Sequence, residues 1–95
     1  MSSRAKAVAT TIEDNARVRI TEWRFAPGAE TGWHVHTMDY VVVYGTAGDV
    51  LAETLEGPIT LPVIAGQSYF RKAGAEHNIV NAGKEELVFV ETELK

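Results

Sequence analysis

The sequence predicts an all-β fold, a sandwich or barrel of short strands. Three observations lead there. Apolar residues come in strand-length runs, some alternating and one continuous, rather than at the three-to-four spacing of an amphipathic helix. Turn-forming Gly, Pro, Asn and Asp interrupt these runs roughly every 8–12 residues. No window supports a long helix, and Val18–Ile20 and Leu51–Leu55, which could be drawn as helical pieces, sit between turn signals at strand length.

In order, residues 1–7 read as a loose arm. Val8–Ile12 is a short strand turned by Glu13-Asp14-Asn15, and Arg17–Phe25 is β-rich. There Val18 and Ile20 share one face while Trp23 and Phe25 share the other, so the phase change near Thr21-Glu22 predicts a bulge or a doubly covered strand. Pro27-Gly28 ends it. Thr31–His36 is the next strand, and the continuous apolar run Asp39–Tyr44 predicts one buried on both faces. Gly45-Thr46-Ala47-Gly48 is a hairpin turn into Asp49–Leu55, which Glu56-Gly57-Pro58 closes. Ile59–Ile64, Gln67–Phe70 and His77–Val80 follow, separated by Ala65-Gly66 and the Arg71–Gly74 loop. Asn81–Lys84 turns the chain into a last strand over Glu86–Leu94.

Ninety-five residues make one domain. The net charge of −4 is spread along the chain with no clustered basic patch, which excludes a phosphate-backbone binder, so no nucleic-acid partner is expected. No apolar run reaches the length of a membrane span, and the N-terminal residues hold no apolar stretch of signal-peptide length, so no membrane partner is expected. The absence of cysteine removes disulfides, thiolate metal sites and a cysteine nucleophile. These points predict a cytoplasmic protein.

The chemistry concentrates in the three histidines. His34 and His36 are two residues apart, and in a strand such positions point to one face. His77 lies about forty residues on, a gap that a barrel can cross to return to the same wall. Neutral imidazoles are good ligands for divalent transition metals, so the open question is whether the fold brings His77 to the pair.

Two motifs make the chain resemble the cupin superfamily. Gly28-(five residues)-His34-Val35-His36 matches the opening of the first cupin motif, G-x5-H-x-H-x3–4-E-x6-G. Gly66-(seven residues)-Gly74-(two)-His77-(three)-Asn81 matches four of the five named positions of the second, G-x5-P-x-G-x2-H-x3-N, with Lys72 where proline is usual. The seventeen residues between Gly48 and Gly66 suit a compact single-domain cupin. The wording of both motifs is also similar to a subgroup of small bacterial cupins that includes proteins of β-alanine degradation. The resemblance implies a double-stranded β-helix, or jelly-roll β-barrel, and a homodimer to which the N-terminal arm could add an edge strand.

The resemblance also implies that His34, His36 and His77 hold a divalent transition metal (Fe, Mn, Ni or Zn). The glutamate that completes the cupin ligand set should fall at position 40, where this chain has Tyr40. A phenol is a poor ligand for such ions near neutral pH, so Tyr40 is expected to hydrogen-bond a ligand or bound water, or simply to line the barrel. Asp39 is out of phase unless a bulge exchanges the two. A three-histidine site resembles that of cupin-fold dioxygenases, and the missing carboxylate favours anionic substrates. The implied function is a metal-dependent enzyme of oxygenase or isomerase type on a small metabolite, with Tyr40 as a proton donor near the metal. The alternatives are a non-catalytic small-ligand module and a cupin with a vestigial site. Of the remaining residues, Asn81 and Gly28, Gly45, Gly48, Gly66 and Gly74 are expected as turn residues. Trp23, Phe25, Tyr69 and Phe70 are expected in the core, Trp33 and Val35 in core or interface, and Glu30, Glu76 and Arg71 on the surface.

Overall fold

The computed structural model describes residues 3–95, and every regular element in them is a strand. These are β1 (Val8–Asp14), β2 (Val18–Phe25), β3 (His34–Val35), β4 (Asp39–Tyr44), β5 (Gly48–Thr54), β6 (Gly57–Val63), β7 (Ser68–Arg71), β8 (Glu76–Asn81) and β9 (Leu87–Leu94). They form a five-stranded sheet ordered β1-β2-β9-β4-β7 and a four-stranded sheet ordered β3-β8-β5-β6, with every strand pair antiparallel.

Strict alternation fills the space between the sheets. Along β4, Tyr40, Val42 and Tyr44 are buried while Val41 and Val43 turn outward, and along β9 Leu87, Phe89 and Glu91 point in. Phe25 stacks obliquely on Phe89 at 5.4 Å, and Tyr44 meets the same ring edge-on at 5.5 Å. Val50, Val63 and Ile79 close the core from the smaller sheet. Pro58 and Pro62 both fall on β6, a sheet edge where a missing N–H costs no ladder bond.

Several expectations change. β2 pairs with β9 without a register shift, so it carries no bulge; the irregularity sits in β1, between Thr11 and Glu13, opposite the point where the apolar phase of β2 changes. Gly45–Gly48 is not a hairpin, because β4 and β5 belong to different sheets and the segment crosses between them. β4 is covered on one face only: Val43 is 41% exposed, and on neighbouring β7 Phe70, expected in the core, is 51% exposed. Trp33 and Val35 are also exposed, since β3 is the edge of its sheet. Over its described part the N-terminal arm is tied down: the Ala7 N–H donates to the Glu30 carbonyl and the Glu30 N–H to the Ala5 carbonyl.

Candidate metal centre

His34 and His77 stand directly opposite each other on β3 and β8, so their side chains leave the same face. β3 is only two residues long, yet the ladder continues beyond it. The His36 N–H donates to the Ala75 carbonyl at 2.8 Å, and the Gly74 N–H donates to the His36 carbonyl at 2.7 Å. That pairing keeps His36 in phase with His34, and Gly74 supplies the left-handed backbone (φ 104°) that the turn before β8 requires. The three Nε2 atoms converge: His36 Nε2 lies 3.1 Å from that of His34 and 3.2 Å from that of His77.

The donor set fits a divalent transition-metal ion. Nitrogens bound to one ion at about 2.0–2.1 Å each are about 2.8–3.4 Å apart at right-angled to tetrahedral geometry, and the two separations of 3.1 and 3.2 Å fall inside that range. The His34 Nδ1 lies 2.8 Å from the Gly32 carbonyl, which can only accept, so Nδ1 carries the hydrogen and Nε2 of the neutral ring keeps its lone pair toward the centre. Burial, aided by neighbouring His34 and His77, pushes the His36 imidazole down to about 4. Burial and the nearby charges of His34 and Arg71 do the same for His77. Both are neutral near pH 7, the form that binds metal. A void of about 10 Å³, lined by His34, His77, Tyr40 and Glu91 among others, is of single-atom size.

A polar chain, buried at Asn78 and Glu30 and open to solvent at Arg4, holds this arrangement from behind. The Asn78 side chain accepts from the Gly32 N–H at 2.9 Å and donates to Glu30 at 2.9 Å and Glu53 at 2.8 Å. Arg4 in turn bridges Glu30 and Glu53 at 3.3 and 3.0 Å. Gly32 takes φ 88°, which presents its N–H to Asn78 while its carbonyl receives His34. Glu30 is therefore buried rather than on the surface, and the arm residue Arg4 reaches the back of the ligand shell. Glu76 receives the Trp33 indole N–H at 2.8 Å outside the site.

Tyr40 is buried, its ring stacked on His36 at 3.9 Å and 19°. Its hydroxyl has no hydrogen-bond partner among the described residues, and burial raises it well above the ordinary phenol range, so it is a neutral donor facing the void. Asp39 points elsewhere and accepts the Ala73 N–H at 2.8 Å. Asn81 is the expected turn organiser, donating to the Phe25 and Glu85 carbonyls and accepting from the Gly83 N–H. The residue that sequence reasoning missed is Glu91. Its carboxylate comes from β9 to within 3.9 Å of His36 Nε2, and burial with Glu93 nearby raises it to about 7, opposed by a hydrogen bond from Trp23. The available signal was an acidic residue in the inward phase of Leu87-Phe89-Glu91, within an otherwise apolar strand.

Two facing antiparallel sheets enclosing a three-histidine cluster define a cupin, and the cupin domain family matches residues 21–93, so the chain belongs to that family. It is 62% identical over 95 residues, the whole of both chains, to the β-alanine degradation protein BauB of Pseudomonas aeruginosa. A cupin domain protein of Bordetella pertussis has the same fold at a TM-score of 0.95 and 53% identity, with 100% of this chain and 99% of that one covered. The polyketide cyclase RemF of Streptomyces resistomycificus is similar in fold alone, at a TM-score of 0.75 and 17% identity over 98% of this chain and 70% of its own.

Proposed function

We propose that this cupin is a metal-dependent enzyme acting on a small metabolite, of oxygenase or isomerase type, with the ion (Fe, Mn, Ni or Zn) held by His34, His36 and His77. The observation that carries the proposal is the convergence of three Nε2 atoms at 3.1 and 3.2 Å, with the His34 tautomer set by Gly32. A bound divalent ion supplies Lewis acidity and a template for substrate. Around it, His36 is kept in place by the Tyr40 ring, the Tyr40 hydroxyl has a hydrogen free for a molecule bound in the void, and Glu91 offers the carboxylate that position 40 lacks. The 62% identity to a β-alanine degradation protein supports a role in the breakdown of a small amino acid of that kind. We also propose a cytoplasmic location, the reading supported by a cysteine-free sequence.

Elemental analysis of protein purified without chelator tests the site: one transition-metal ion per chain is expected, lost in His77→Ala. Substoichiometric metal in the wild type, or metal unchanged by the substitution, overturns the assignment. We further propose a homodimer formed through the outer face of the larger sheet. There Val41 pairs with Phe70 and Val43 with Val90, leaving apolar side chains open on one face. Light scattering should give twice the chain mass, and Phe70→Lys should give the monomer.

A further inference from the structure

Beside the histidine void lies a larger cavity of about 260 Å³, and the two share Tyr69, His77 and Ile79 in their walls. At about 30 Å³ per water in the liquid, this is the volume of roughly nine waters, suited to a small metabolite. Val50, Leu61, Val63 and Ile79 make much of the lining apolar. The cation among its lining residues is Arg71, at the end of β7 opposite the inward-facing Tyr40.

Arg71 differs from most other arginines of the chain. Arg4, Arg19 and Arg24 each pair with carboxylates, whereas Arg71 has no ion pair and no side-chain hydrogen bond among the described residues. This holds in a chain with 13 acidic against 9 basic residues. Its guanidinium carbon lies 4.8 Å from the Tyr69 ring centroid, a cation–π contact that uses none of its N–H donors. An unpaired guanidinium at the edge of a small, mainly apolar cavity matches a carboxylate on a short aliphatic body.

We propose that this cavity binds a small aliphatic carboxylic acid, its carboxylate on Arg71 and its other end directed to His77. The inference rests on the three-histidine centre being the reaction site, and it names the class of molecule presented there. The direct test is titration of the protein with butyrate, butyramide and butylamine, followed by NMR shifts of residues lining the cavity, on metal-loaded and chelator-treated samples. Butyrate should bind about tenfold or more tightly than butyramide, and butylamine should not bind. Arg71→Gln should erase the preference for butyrate over butyramide, Arg71→Lys should retain part of it, and Arg17→Gln, at a residue that does not line the cavity, should leave it intact. Equal affinity for butyrate and butyramide, or a preference that survives Arg71→Gln, overturns the proposal. Butyrate binding that vanishes on chelation but is untouched by Arg71→Gln also overturns it, while upholding the metal centre. An Arg71-dependent preference that persists without metal upholds it even if elemental analysis finds no ion.

Discussion

The two sheets do different work although they face the same core. The five-stranded sheet meets the interior mainly with packed apolar and aromatic side chains, Phe25, Tyr40, Val42, Leu87 and Phe89, each exact in position through contact with its neighbours. The four-stranded sheet brings the histidines, and it holds them through polar bonds running from Arg4 through Glu30, Glu53 and Asn78 to Gly32 and His34. Packing tolerates small adjustments shared among many contacts, whereas a chain of hydrogen bonds fails at the one link removed. The stability of the fold should therefore reside mostly in the first sheet, and the precision of the site in the second.

The largest effect should come from breaking the first sheet. Phe25→Ala removes a fully buried ring and should destabilise the protein by about 3–5 kcal/mol in chemical unfolding, while folded molecules keep their metal stoichiometry. Asn78→Ala should cost less, about 1–3 kcal/mol, by leaving the Gly32 N–H and the buried Glu30 short of partners. Its distinctive outcome is weakened metal affinity in protein that still folds, because the Gly32 carbonyl is no longer held under His34. If Asn78→Ala lowers stability but leaves affinity unchanged, the division of labour between the sheets is wrong.

Acid unfolding of the metal-free protein sharpens the comparison further. His36 and His77 sit at about 4 in the fold against 6.5 in the open chain, so between these values the unfolded state binds two protons that the folded state does not. Their contribution is present above pH 6.5 and is lost as the pH falls toward 4. Glu91, raised from 4.5 to about 7, binds a proton in the fold across much of the same window and opposes them. The net is one proton, so stability should fall by roughly 1 kcal/mol per pH unit between pH 6.5 and 4.5, and Glu91→Gln should about double that slope. The smallest effect belongs to Tyr40→Phe, which removes a buried hydroxyl without a partner and should leave metal-free stability within about 1 kcal/mol of wild type or slightly above it. Tyr40→Glu, in contrast, restores the acidic group of the cupin pattern and should tighten Mn²⁺ or Ni²⁺ binding; unchanged affinity would show that position 40 does not face the ion.

Strand existence was legible in the sequence because turn residues and apolar alternation are local signals, and all nine strands were expected close to their observed places. Local signals do not say which strand pairs with which, and that accounts for the misreading of Gly45–Gly48 as a hairpin. They also do not say whether an apolar face is covered, hence Val43 and Phe70. The histidines were found through their spacing and the cupin motifs, but Glu91 enters the site only through β9 lying beside β4, a contact between residues far apart in the chain. Glu30 was placed on the surface because its charge suggested water, whereas Arg4 and Asn78 replace that water.

The position of β9 has a consequence for how the protein is made. It lies at the centre of the larger sheet, pairing with β2 on one side and β4 on the other, yet it comes after every other strand in the chain. A nascent chain that has exposed only its first eight strands lacks Leu87 and Phe89 and has no partner to join β2 to β4. Assembly of the larger sheet therefore waits for β9 and is dominated by distant pairings, which places this fold among slow rather than fast folders.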